Sequence, residues 1–235
     1  QLADLKGKTI VVQRNGPHMD LVFVLIQDAG LKPSDVNVKY VADITLNPDN
    51  KTPGINDPAG AFRGDNTVDG AAAIYPDILT LTAGGNVGTG AEDSVRGARP
   101  ILTTRTASRV IADVYAVRRD WFLANQAKVN AIAKAILDEQ AIFSDYLDNI
   151  AKKKSGDQLK TRQFKNLCKP LSGIFLFDEA AVDDYILWLG IDSLLAGHGG
   201  NKEFFTKKGN PVGFAATNQR IQGFYVDAGF LSTSK

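Results

Sequence analysis

The sequence predicts an α/β fold: a five-stranded, mostly parallel sheet over residues 1–117, followed by a largely helical C-terminal part over 118–235. Three observations predict it. β-branched runs alternate with helix signals through the first half. After Asp120 the pattern changes to apolar residues at helical spacing. The late segments then bring large apolar side chains (Trp188, Phe204, Phe205, Phe224, Phe230) that a sheet already flanked by its own helices has little room to cover.

Residues 8–13 read KTIVVQ, a strand that ends at Asn15-Gly16-Pro17. Pro17 suits the first helical position, where its missing N–H costs nothing. The helix carries the apolar run 21–26 and stops at Gly30, with Pro33 shortly after. Residues 36–41 alternate and give the second strand. Residues 47–58 are a loop rich in Asn, Asp and Pro, and a short helix over 59–63 follows. A third strand covers 68–74, Pro76 opens a helix, and 84–90 form a glycine-rich loop. The segments 101–104 and 110–117 complete the five strand candidates. Past Asp120, the expected N-cap, Val129, Ile132, Ala133, Ile136 and Leu137 set a long helix to about Asn149. Residues 152–160 read as a polar turn, 173–177 as a short strand or a buried helix start, and 179–189 and 215–228 as helices.

Composition narrows the function. With 27 basic and 26 acidic residues the net charge is +1, without the basic excess of a nucleic-acid binder. No stretch approaches the roughly 18 apolar residues of a membrane helix, and residues 1–4 do not read as a signal peptide. One cysteine, Cys168, excludes an intrachain disulfide and a thiolate metal cluster, and His18 and His198 are too few for a histidine-rich metal site. No Ser-His-Asp order or carboxylate pair stands out, so neither catalysis nor a cofactor is expected. The loop 84–90 lacks the Gly-Lys-Ser/Thr ending of a phosphate loop.

Three stretches carry a resemblance: Asp4-Leu5-Lys6-Gly7-Lys8-Thr9-Ile10-Val11-Val12-Gln13 with Gly16-Pro17-His18; Val68-Asp69-Gly70-Ala71-Ala72-Ala73-Ile74-Tyr75-Pro76-Asp77; and Ile111-Ala112-Asp113-Val114-Tyr115-Ala116-Val117-Arg118-Arg119-Asp120. In order and spacing they resemble the solute-binding proteins of ABC transporters of the sulfonate, nitrate and thiamine-precursor type, which have the type II periplasmic-binding fold. Residues 79–92 with 106–109 are similar to members fused to an OmpA-like peptidoglycan-binding domain, although this sequence contains no such domain. In that family the first stretch opens the second lobe. The resemblance therefore implies that 1–117 is a ligand-binding lobe and that 118–235 belongs to the other, incomplete lobe. A cleaved N-terminal segment or a second chain would complete the fold.

The resemblance also implies a location in the periplasm or cell envelope, an ABC transporter permease as partner, and a small anionic or zwitterionic solute held between lobes. Helix N-termini favour such a charge. The turn after the first strand supplies Arg14, Asn15, Gly16 and His18; the end of the third supplies Tyr75 and Asp77. At the interlobe crossing, Arg105 and Arg109, with Thr106 and Ser108 between them, offer an anion clamp. Two other readings share the fold: an envelope scaffold whose cleft is vestigial, and an enzyme of thiamine-pyrimidine synthesis.

Overall fold

The computed structural model describes residues 2–46, 55–104, 111, 113–151, 158–176, 178–192 and 195–233. They form two compact units: 1–112 with 214–235, and 113–213.

In the first unit, β1 (Thr9–Gln13) pairs in parallel with β2 (Asn37–Val41) on one side and with β3 (Gly70–Ala71) on the other. The order is β2-β1-β3. Helix α1 (His18–Asp28) connects β1 to β2, and α2 (Pro58–Gly64) connects β2 to β3. Helix α3 (Tyr75–Leu81) follows β3. Period-2 alternation sorts β1 between two cores. Ile10 and Val12 pack with Met19, Val22, Phe23 and Ile26 of α1, whereas Val11 packs with Val41, Ala61 and Val68 on the opposite face. Both faces are therefore covered, as a parallel sheet requires. Met19, Val22, Phe23 and Ile26 recur at helical spacing, which is why α1 buries one stripe.

The end of α1 closes as the sequence predicts. Gly30 takes φ +71°, its N–H donates to Gln27 O at 2.9 Å, and Leu31 N–H donates to Ile26 O at 3.0 Å. Asp57 is buried, and its carboxylate accepts the Gly60 N–H at 2.7 Å to cap α2.

The sheet is narrower than the sequence predicts: among the described residues it has three strands, not five. Residues 101–104 and 113–117 pair with no strand. Ile101, Val114, Tyr115 and Val117 are exposed there, Tyr115 at 83%. Strand propensity reflects fit to a pleated, half-buried surface, and these β-branched residues have no such surface. Residues 110 and 112 lie outside the described residues. Of the predicted strand 68–74 only Gly70–Ala71 pairs with β1, and Ala72 N–H reaches Val11 O at 2.9 Å. Small side chains give this edge little to pack.

The helical unit holds α4 (Arg119–Ala124), α5 (Gln126–Ala151), α6 (Gln158–Phe175), α7 (Val182–Asp192) and α8 (Gly197–Thr206). The expected long helix is thus broken at Asn125, and Arg118, not Asp120, is its N-cap. Residues 173–175 end α6 and form neither a strand nor a helix start. Its core is Phe164, Cys168, Tyr185 and Ile186, with Phe143 and Tyr146 rings 4.9 and 5.0 Å from that of Phe164. Trp188 packs here against Phe175 and Tyr185, while Phe205 is half exposed.

The final helix, α9 (Phe214–Asp227), belongs to the sheet unit. Phe224 is buried beside Phe23, ring centroids 5.8 Å apart, and Phe230 meets Tyr40 edge-on at 5.4 Å. Those two late aromatics therefore cover the first sheet itself.

Candidate functional site

In an open parallel sheet the connections that leave the carboxyl ends of neighbouring strands in opposite directions leave a crevice between them. Here α1 returns from β1 toward β2 on one face, and the connection through α2 carries the chain to β3 over the other. The turn after β1 and the turn after β3 stand at the carboxyl ends of neighbouring parallel strands. Continued past the ladder, the register Ile10↔Gly70 and Val11↔Ala71 sets Ile74 and Tyr75 level with Arg14 and Asn15.

The β1 turn is tightly held. Arg14 N–H extends the ladder to Val41 O at 2.9 Å, and Asn15 takes φ +61° while its N–H points to Met19 Sδ at 3.0 Å. Asn is among the few side chains that tolerate this left-handed backbone. Gly16 is buried, and a Cβ there would lie 2.3 Å from Gln13 Oε1. The space beside Gly16 is filled by the Gln13 amide, so the expected close approach of a ligand to this backbone is already occupied from within. Met19 and Asp20 N–H groups turn back to Gly16 O and Pro17 O, both at 3.1 Å. The α1 N-terminus also carries Asp20 in its first turn, which meets part of the positive dipole end. His18 is half-buried at the head of the helix.

Arg14 is exposed, with its guanidinium 5.7 Å above the Phe230 ring. The sequence expectation missed Phe230 and its neighbour Tyr40 at this edge; only the lone aromatic after the predicted last helix hinted at them. Burial pushes the Tyr40 hydroxyl up, and nearby Arg14 pulls it back.

At the end of the neighbouring strand, Tyr75 and Asp77 are half-buried at the start of α3. Ile74 caps this helix without a side-chain bond. Asp77 Oδ2 is buried without a hydrogen-bond partner. Burial raises the Asp77 carboxyl above the ordinary aspartate range and the Asp57 charge adds to this, while a hydrogen bond from Thr45 and the Arg63 charge oppose it. Asp77 stands third in the helix, not at its cap, and is subject to charges of both signs, Asp57 and Arg63.

Arg105, Thr106, Ser108 and Arg109 lie outside the described residues. The structure therefore brings the first two clusters to one sheet edge and leaves the third unplaced. The glycine-rich loop closes on itself: Gly88 N–H donates to Ala98 O at 2.9 Å and Gly97 N–H to Gly88 O at 2.7 Å, while a Cβ on Gly88 would lie 2.0 Å from Val95 O. The N–H groups of Gly84, Gly85, Gly88 and Gly90 are bonded to acceptors within the loop and its flanks rather than turned to a phosphate. His198, placed by sequence in a loop, stands in the first turn of α8. A shallow hollow of about 550 Å³ at the start of α4 is lined by Ala116, Arg118, Asp120 and Trp121, but Arg118 and Asp120 already pair with each other at 2.6 Å. Among the described residues no group of three or more His, Cys, Asp or Glu side chains is placed to hold a metal ion. No described helix is long and apolar enough to cross a membrane.

Compared with known proteins, the chain matches no family model, no curated protein and no solved structure.

Proposed function

We propose that the sheet unit is a solute-binding lobe serving an ABC-type uptake system in the periplasm or cell envelope. On this reading it captures a small solute without transforming it and hands it to a transporter permease. One observation carries the reading: two turns rich in polar groups, Arg14–His18 and Tyr75–Asp77, stand at the carboxyl ends of adjacent parallel strands, where open sheets take ligands. The charges favour a zwitterion over a simple anion. Arg14 offers an exposed guanidinium at the first turn, while Tyr75 and Asp77 bring a ring, a hydroxyl and a carboxyl to the second, where the buried Asp77 Oδ2 lacks a hydrogen-bond partner.

Calorimetric titration with aminosulfonates, nitrate, phosphate esters and aminopyrimidines tests it. A zwitterionic aminosulfonate should bind with the tightest constant of the panel. Arg14→Ala removes a charge-assisted contact of about 1.5–3 kcal/mol and should cost roughly 10- to 150-fold in affinity. Binding unchanged in Arg14→Ala, or turnover of any compound, would overturn the reading.

A second reading, an envelope interaction module with a vestigial cleft, is favoured by a separate observation. Ile132, Ile142, Leu167, Ile174 and Leu187 of the helical unit are all more than half exposed. No binding across the whole panel would favour it.

A further inference from the structure

Where α9 meets α1, an apolar seam contains a strip of polar groups. Phe224 and Tyr225 close on Phe23, with ring centroids 5.8 and 5.9 Å apart, and Phe230 closes on Tyr40. Inside this seam Asp20 of α1 faces Arg220 and Tyr225 of α9. Asp20 Oδ1, Arg220 Nε and Thr217 Oγ1 are each buried without a hydrogen-bond partner, and Thr217 as a whole is only 6% exposed. Tyr225 lies in turn against Tyr40 of β2, its hydroxyl 4.0 Å from Met19 Sδ, and Arg14 lies beside Tyr40. His18 stands two residues before Asp20 on the same helix. A partly satisfied polar network in low dielectric responds strongly to the charge of one member. Protonation of Asp20 removes its charge and gives it an O–H donor.

We propose that this seam is a proton-controlled latch: with the Asp20 carboxyl protonated, α9 is held against the sheet unit, and loss of that proton loosens it. The direction follows from burial, which lifts the carboxyl to about 6 against the opposing pull of the Tyr225 hydrogen bond and the Arg220 charge. The docked form binds the proton more tightly than the undocked one. Docking is therefore strongest below the ordinary aspartate range and declines as pH rises through about 6. Loosening α9 withdraws Tyr225 from Asp20 and frees the following Phe230 from beneath Arg14, so the latch alters the candidate site's edge without itself requiring a solute.

Amide hydrogen exchange of the whole chain at about pH 5 and about pH 7.5, corrected for the intrinsic pH dependence of exchange, reads the latch directly. Protection of the α9 amides should be about tenfold lower at the higher pH, the equivalent of one unit of proton linkage. Asp20→Asn should hold the same protection at both values, and His18→Gln should keep the wild-type difference. Tyr225→Phe and Arg220→Gln each remove a group that favours the carboxylate, so both should move the midpoint to higher pH; these variants keep the test open if Asp20→Asn does not fold. Equal protection in the wild type, a difference that survives Asp20→Asn or vanishes in His18→Gln, or an unmoved midpoint in both α9 variants would overturn the latch.

Discussion

Asp57 shows how much can rest on one side chain. It is 6% exposed and its carboxylate accepts the Gly60 N–H at 2.7 Å, so Asp57→Ala should lower unfolding free energy by about 1–2 kcal/mol. A denaturation midpoint unchanged from wild type would remove the cap from the account. Asp69 and Asp20 make opposite pH contributions. The Thr9 N–H at 2.9 Å and the Lys8 ammonium, also at 2.9 Å, hold the Asp69 carboxyl below its ordinary range. That contribution is present above the usual aspartate range and is lost as pH falls through the lowered value. Asp69→Asn should therefore lose less stability than wild type when denaturant titrations are taken from about pH 5 to about pH 2. An equally steep acid loss in both proteins would show that the pairing contributes nothing. At this scale the sequence was informative where chemistry is local. Gly30 was legible because a left-handed residue after an apolar stripe has one common meaning. The role of Gly16 was not, because the side chain that fills its space, Gln13, lies three residues away in a turn of unforeseen shape.

Among elements, β1, α1 and β2 were legible because their signals are consistent within a few residues: a β-branched run, a proline-led helix with one apolar stripe, and a second alternating run. The segments 101–104 and 110–117 misled because their composition suits a strand while the described part of them has no neighbour to pair with. Helix α6 escaped for the converse reason. Its sequence is rich in Lys and Gln and contains Pro170, yet Phe164, Cys168 and Ser172 bury one face completely enough to carry it. Pro170 itself is exposed and interrupts the helical bonding. Pro170→Ala should restore a donor and stabilise the chain by about 1–2 kcal/mol, the helix gain of about 3 being partly offset by a more flexible unfolded chain. A thermal midpoint at or below the wild-type value would mean that Pro170 is needed for the packing of Phe164 and Cys168. Cys168 is fully buried and burial pushes its thiol up to about 11, so it should resist a thiol reagent until the chain unfolds. Rapid labelling of the folded protein would contradict its place in that core.

For the whole molecule, each unit has its own apolar cluster, and the chain returns from 113–213 to finish on the sheet. Phe23 is the hub of the first cluster, 2% exposed and in ring contact with both Phe224 and Tyr225. Phe23→Ala should cost about 3–5 kcal/mol and lower exchange protection first in residues 9–41 and 214–230, which share its contacts. Protection lost first in 126–192 would assign α9 to the wrong core. The broad α/β class was legible, and so were the turns that follow β1 and β3, because a parallel ladder places successive strand ends at one edge. The contribution of Tyr40 and Phe230 was not, since it depends on a contact between chain segments almost two hundred residues apart. The central claim is that a solute is held at the carboxyl ends of β1 and β3. Chemical-shift mapping with the tightest-binding aminosulfonate tests it most directly. The account predicts that the largest shifts fall on the amides of 14–18 and 72–77 and saturate together; shifts confined to other segments, with these two turns unmoved at saturation, would contradict it.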